Sequence, residues 1–475
     1  MPPLSLSPAL LQWQHELEAV SKAHQSAAAV RHSSYIERLP AELRFLVIEN
    51  LPAGDLRSII NLALTGPVYY HFVSENEADL AEKIVVSIVG RDVMPFAATL
   101  YELEGLGDKL PRVIFKGKRG YPDEESWGLM LEILDRHSGR HNRHNWHTQS
   151  RITKFPVAAA YLEFNAPVEY WAKKVASRAL RKAYAMVPRQ RWRDDPKSKP
   201  GLKPKPTATE MRRFCKALYI YQIQSTAFPW SYAAKYMEPI GTSYFCAFQR
   251  FWYAIAPWEL EQVRQVEILL GCALTSYFAD PVEELGPVMD LFLIEQGLTR
   301  LRALDVMAHW RVGKAKFAEQ WDLAATRHGC SLRLPVTPWE FTLMEFDFDE
   351  NGNTNLHAGE IFKKYPEGDD GQKFWWYYAW LMVCPPDTMK HRYNLTSACW
   401  YCSYMLGYAF WDFDRLRKLT REECPSLDDL LESTRGVCAS MDDIFTECSN
   451  NFIPSVPVDH ECSCMTGRGR RPWYM

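Results

Sequence analysis

Apolar residues recur four apart at Leu39, Leu43, Val47 and Leu51, and Phe45, Leu46 and Ile48 fill the positions between them. This spacing predicts a helix with more apolar surface than a single stripe can use. Pro40 suits the first helical position, and Glu42 falls in the first turn, where the helix dipole favours negative charge. Pro52 and Gly54 then interrupt the pattern. Asp55 suits an N-cap, and Leu56, Ile59, Ile60, Ala63 and Leu64 predict a second amphipathic helix before Gly66-Pro67. Two helices this short bury little surface by themselves, so the pair is expected to lean on the rest of the chain, on a partner, or on both.

Helical patterning continues downstream. Ser74-Glu75-Asn76-Glu77 has the form of a capping box and opens a segment ending near Gly90, which reads as helix although "KIVVSIVG" alone also fits a strand. From Val187 to Pro206 the pattern lapses: "VPRQRWRDDPKSKPGLKPKP" is rich in Pro and Lys and offers little to a core, as a linker does. Thr207-Ala208-Thr209-Glu210 supplies another capping box, followed by Met211, Phe214, Leu218 and Tyr221 at helical spacing. Further on, "APWELEQVRQVEILLGCAL" places Pro257 at a helix start, acids in the first turn, and Val263, Val266 and Leu270 on one side. The fold class expected is mainly α, a small N-terminal helical unit followed by a larger all-helical domain.

Composition narrows the functional classes. The 475 residues are 47% hydrophobic and carry a formal net charge of -3, so bulk charge points to no nucleic-acid partner. The opening "MPPLSLSPALLQWQHELEAV" lacks a basic n-region and a continuous apolar run, and reads as a helix and not as a secretory signal. The aromatic run "FWWYYAWLMVC" is shorter than the roughly 20 residues a bilayer requires, so no membrane segment is expected. All 12 cysteines follow Phe214, scattered among helical patterns, which suits reduced thiols in a cytoplasmic or nuclear protein and leaves the sequon at Asn394 unused. The 17 tryptophans at helical spacing read as core.

Taken together, Leu39-Pro40-x-Glu42-Leu43, a later Leu51, Asp55-Leu56 and a closing aromatic at Phe72 resemble the F-box in order and spacing. Where many F-boxes end on Cys or Ser followed by Trp, this chain has Thr65 to Phe72, without either. "TEMRRFCKALYIYQIQ", "FWYAIAPWELEQV" and "YMLGYAFWDFDRL", in that order, are similar to the helical body of uncharacterised fungal F-box-like proteins. The resemblance implies a Skp-type adaptor as partner, a cullin-RING ubiquitin ligase reached through it, and a target protein held by the remainder of the chain. By position, Leu39, Pro40, Leu43, Leu51 and Leu56 would face the adaptor. The expected organisation is an N-terminal helical extension over 1–35, an F-box-like unit over 36–90, a helical segment over 91–187, the linker over 188–206 and a helical domain over 207–475.

Three stretches bear on other chemistry. In "HSGRHNRHNWH", His137, His141, His144 and His147 would share a face if helical and could then ligate zinc. Gly139, the two Asn and the neighbouring Arg residues favour a solvated loop. "DFDENGNTNLHAGEIF" resembles a calcium loop, yet counting from Asp347 puts Ala358 at the closing carboxylate, and counting from Asp349 restores Glu360 but puts Thr354 at the glycine turn. A polar turn over 347–360 is the plainer reading. Cys399 and Cys402 have half-zinc or redox spacing, and with Cys462 and Cys464 could complete a four-cysteine site if the fold joined the ends; helical spacing among aromatics makes the first pair read as buried core. No nucleophile-base order, phosphate loop or paired carboxylates stands out, so a non-catalytic protein without cofactor is expected. The alternatives are an interaction scaffold outside any ligase, and a metal-dependent sensor or enzyme.

Overall fold

A computed structural model describes residues 39–49, 56–64, 66–107, 124–138, 152, 154–186, 205–228, 251–252, 254–274, 286–308, 373, 407–412 and 414–415. These residues are 87% helical and include no strand, as the periodicity predicts. The chain divides into two compact units, Met1–Val168 and Glu169–Met475.

The first unit opens with α1 (Ala41–Glu49), α2 (Leu56–Leu64) and α3 (Pro67–Glu75). Pro67 starts α3 at the position where its missing N–H costs nothing, preceded by an extended Gly66. Next come α4 (Glu77–Val89), α5 (Met94–Gly105), α6 (Glu124–Ser138) and the first half of α7 (Phe155–Met186). "KIVVSIVG" is helical. Ala81, Val85 and Val89 fall one turn apart and all are buried, so period four decides against the strand. The predicted capping box does not form. Ser74 lies inside α3, Asn76 ends that helix by donating through Nδ2 to Phe72 O at 2.7 Å, and Glu77 Oε1 accepts from Phe155 N at 2.9 Å. The carboxylate thus satisfies an orphan N–H at the start of α7, a helix 78 residues away, in place of its own.

The division between units falls inside α7, just past Pro167; of the Pro/Lys-rich segment, 187–204 lie outside the described residues. The second unit adds α8 (Ala208–Ala227), α9 (Pro257–Leu274), α10 (Gly286–Ala308) and a single 3-10 turn, Tyr408–Phe410. The Thr207–Glu210 capping box forms in full: Glu210 N donates to Thr207 Oγ1 at 3.1 Å and Thr207 N to Glu210 Oε2 at 2.8 Å. Helix α9 is the centre of this unit, packed against α8, α10 and the 3-10 turn, and every one of its residues except Ile268 is buried. Trp171, Trp252, Trp258 and Trp411 of this unit are fully buried, so these four tryptophans are core.

Helix α10 breaks at Gly297, whose φ of 63° is left-handed. The break is held from both sides, since Leu298 N donates to Gln222 Oε1 at 2.6 Å and Leu298 O accepts from Trp171 Nε1 at 3.1 Å. Space is tight there as well, because a Cβ would sit 3.0 Å from Ser225 Oγ.

Candidate partner-binding face

Helix α1 resolves its surplus apolar surface by turning part of it outward. Ile48 is 5% exposed and Arg44, one turn earlier, lies over the buried Phe72 ring at 5.9 Å, so the row through Arg44 and Ile48 faces α3. Leu43 and Leu46, one turn apart on another side, are 43% and 49% exposed. Of the five residues predicted to meet an adaptor, Pro40 and Leu43 are exposed and Leu39 is half-buried. Leu56 opens α2, and Leu51 lies outside the described residues. Leu46 was not among the five; its apolar character in a crowded pattern was the available signal. Ile59 and Ala63, one turn apart on α2, are buried as their spacing predicts.

The histidine-rich stretch is corrected at its first member. His137 belongs to the last turn of α6 and is fully buried, not part of a solvated loop. Met130, Ile133, Leu134 and His137 form one buried stripe, so the ring continues an apolar face. Its Nε2 lies 2.8 Å from Glu102 Oε1, and Arg136 donates to the other oxygen of Glu102 at 2.9 Å. Burial pushes the Glu102 carboxyl upward, but the His137 hydrogen bond and the charges of His137 and Arg136 outweigh it and hold the group below its ordinary value. Tyr101 stacks on Tyr161 at 4.8 Å beside this pair, and burial together with the Glu102 charge raises both phenols. The cluster joins α5 to α6. His141, His144, His147, the 347–360 loop and Cys399, Cys402, Cys462 and Cys464 lie outside the described residues, among which no group of three metal-ligating side chains gathers.

Two polar clusters in the second unit had no counterpart in the sequence reading. One is a clasp around Glu210, which is fully buried and accepts from Thr207 N, Asp412 N at 3.0 Å, and Arg415 Nε and Nη2 at 2.6 and 2.8 Å. Arg213 reinforces it, donating to Phe410 O at 2.8 Å and pairing with Asp412 at 3.1 Å, while Phe410 stacks on Phe214 with centroids 3.7 Å apart. Gly407, φ 64°, brings this segment against Ala179 of α7, where a Cβ would sit 3.0 Å from the alanine methyl. Residues about 200 positions apart in the chain are thereby closed onto α8. The other cluster links α7 to α10, with Tyr170 and Lys174 both donating to the buried carboxylate of Asp305. Burial, the Asp305 hydrogen bond and its charge push the Tyr170 phenol up to about 12 against the opposing charge of Arg302, so at neutral pH it remains a donor.

Among the described residues no single helix is long and apolar enough to cross a membrane; α4 and α5 pass such a test only jointly and are bent by 110°. No family model, curated protein or solved structure matches the chain.

Proposed function

We propose that the chain is a non-catalytic receptor subunit of a Skp-cullin-RING ubiquitin ligase, docking the Skp-type adaptor on α1 and presenting a protein target with the larger helical unit. The observation that carries this reading is the outward pair Leu43 and Leu46, half-exposed on the helix whose sequence holds Leu39-Pro40-x-Glu42-Leu43. Half-exposed leucines side by side gain little where they stand and would gain on burial by a partner. The mechanism is proximity. A target lysine held beside a charged ubiquitin-conjugating enzyme meets it at high effective concentration, so the subunit needs no nucleophile of its own.

The test is co-purification with a Skp-type adaptor, with melting measured beside it. Wild type should form a one-to-one complex, and Leu43→Ser with Leu46→Ser should cost about 2 kcal/mol of binding, roughly 30-fold in affinity, at an unchanged melting temperature. Leu39→Ala with Pro40→Ala should weaken the complex further. A wild type that never binds, or a serine variant that binds equally well, sinks the adaptor assignment and leaves α1 as a face for some other protein.

A further inference from the structure

The second unit carries an outward surface of a different character. On α10, Arg302 and Val306 stand one turn apart; Arg302 lies over the Tyr170 ring at 5.4 Å, and Val306 and Met307 are 50% and 36% exposed. Tyr170 begins a row on α7 that continues through Lys173, Ser177 and Arg181, with Arg178 alongside. At 1.5 Å per residue the row from Tyr170 to Arg181 is about 17 Å long. It is contiguous with α10, because Tyr170 and Lys174 both reach Asp305.

The charges on this face do not balance. Asp305 is buried and neutralises Lys174, and Glu169 forms an exposed pair with Lys173 at 2.9 Å, an arrangement of little energetic consequence. Arg178, Arg181 and Arg302 have no carboxylate partner among the described residues. Three guanidinium groups thus line a strip that also carries the half-exposed Val306, one turn past Arg302, with Met307 exposed on the next flank of α10. A nucleic acid would use the charges but leave Val306 and Met307 without a role, and the one aromatic ring in the strip, Tyr170, is already covered by Arg302. A membrane surface would need a longer apolar face than two residues.

We infer that this strip is a docking surface for an acidic amphipathic segment of another protein, its carboxylates on Arg178, Arg181 and Arg302 and an apolar anchor against Val306 and Met307. Charge complementarity would set orientation and on-rate, and the apolar contact would supply the anchor. The inference rests on the second unit alone and stands whether or not α1 binds an adaptor.

The experiment uses the full chain without any adaptor and a fluorescent, roughly five-turn helical peptide with Leu on one face and Glu on the other. Anisotropy should show saturable binding, lost with a peptide carrying Lys for Glu and weakened as salt shortens the screening length. Arg178→Ser, Arg181→Ser and Arg302→Ser together should weaken binding by about tenfold, the three Arg→Lys changes should restore most of it, and Val306→Ser with Met307→Ser should cost about threefold or more. All five side chains reach solvent, so the melting temperature should hold in each variant; if the serine triple melts lower, the Arg→Lys triple against the two peptides makes the same comparison. The inference is overturned if wild type ignores the acidic peptide, if the serine triple binds it as tightly, or if a single-stranded oligonucleotide binds better through the same arginines and is indifferent to Val306→Ser.

Discussion

Helices α1 and α9 invert the usual rule in opposite directions. In α1 leucines face solvent, and in α9 Glu259, Glu261, Arg264 and Glu267 are buried with Gln262 and Gln265. The two inversions are not equivalent, because α9 answers much of its own. Lys216 of α8 pairs with Glu259, Arg264 with Glu267 at 2.9 Å, and Gln262 Nε2 donates to Ala409 O at 2.8 Å. Gln265 Nε2 donates to Glu261 at 3.2 Å, while its Oε1 accepts from Ala409 N at 3.3 Å. A charge can be taken out of water when a partner of opposite sign and the remaining hydrogen bonds come with it. Exposed leucines have no such remedy within their own helix; only burial by another surface removes the exposure. Buried polarity in this protein therefore speaks of folding, and exposed apolarity is what the proposed association would remove.

The comparison can be broken by removing what α9 and its neighbours rely on. Glu210→Ala takes one fully buried carboxylate from the clasp and leaves the Arg415 guanidinium and the Asp412 N–H without that acceptor. Stability should fall by about 3 to 5 kcal/mol in chemical denaturation, and a loss under about 1 kcal/mol would show that water replaces the clasp at little expense. The next effect is smaller and sharpens the contrast within α1. Ile48→Ala should cost about 2 kcal/mol or more as a buried truncation, whereas Leu43→Ser should change stability by less than about 0.5 kcal/mol. Equal losses at the two positions would mean that α1 has no free face.

The smallest effect concerns acid. Because the Glu102 carboxyl is held below its ordinary value of 4.5, the folded state favours the ionised form. Its contribution is fully present above the unfolded-state value near 4.5 and is lost as pH falls through the lower folded-state value. Denaturation curves across that acidic window should show Glu102→Gln converging on wild type as pH drops, with a difference of about 1 kcal/mol at neutral pH. A gap that stays constant with pH would assign the loss to packing and not to charge.

Much of the local structure was legible because it depends on near neighbours. Pro257 begins a helix, Thr207 and Glu210 close their box, and the crowding of apolar residues in α1 announced more apolar surface than one face can use. The failures share one cause. Glu77 left its own helix for Phe155 N, and His137 left solvent for Glu102, in each case for a partner more than 30 residues away. The row through Leu39, Leu43 and Val47 gave a helical period and could not say which side meets α3, since Arg44 and Ile48 repeat at the same spacing.

By itself, then, the sequence determined that the described chain is helical, where several of its helices begin, and that α1 carries more apolar surface than it can bury. Those properties follow from backbone sterics, caps and hydrophobic period, which act within a few residues. Only the tertiary structure decided that α9 lies with its charges inside, that the segment around Phe410 closes onto α8, and that Gly297 bends α10 between Gln222 and Trp171. Each of these depends on a donor, an acceptor or a ring brought from far along the chain, and a one-dimensional pattern does not contain that distance.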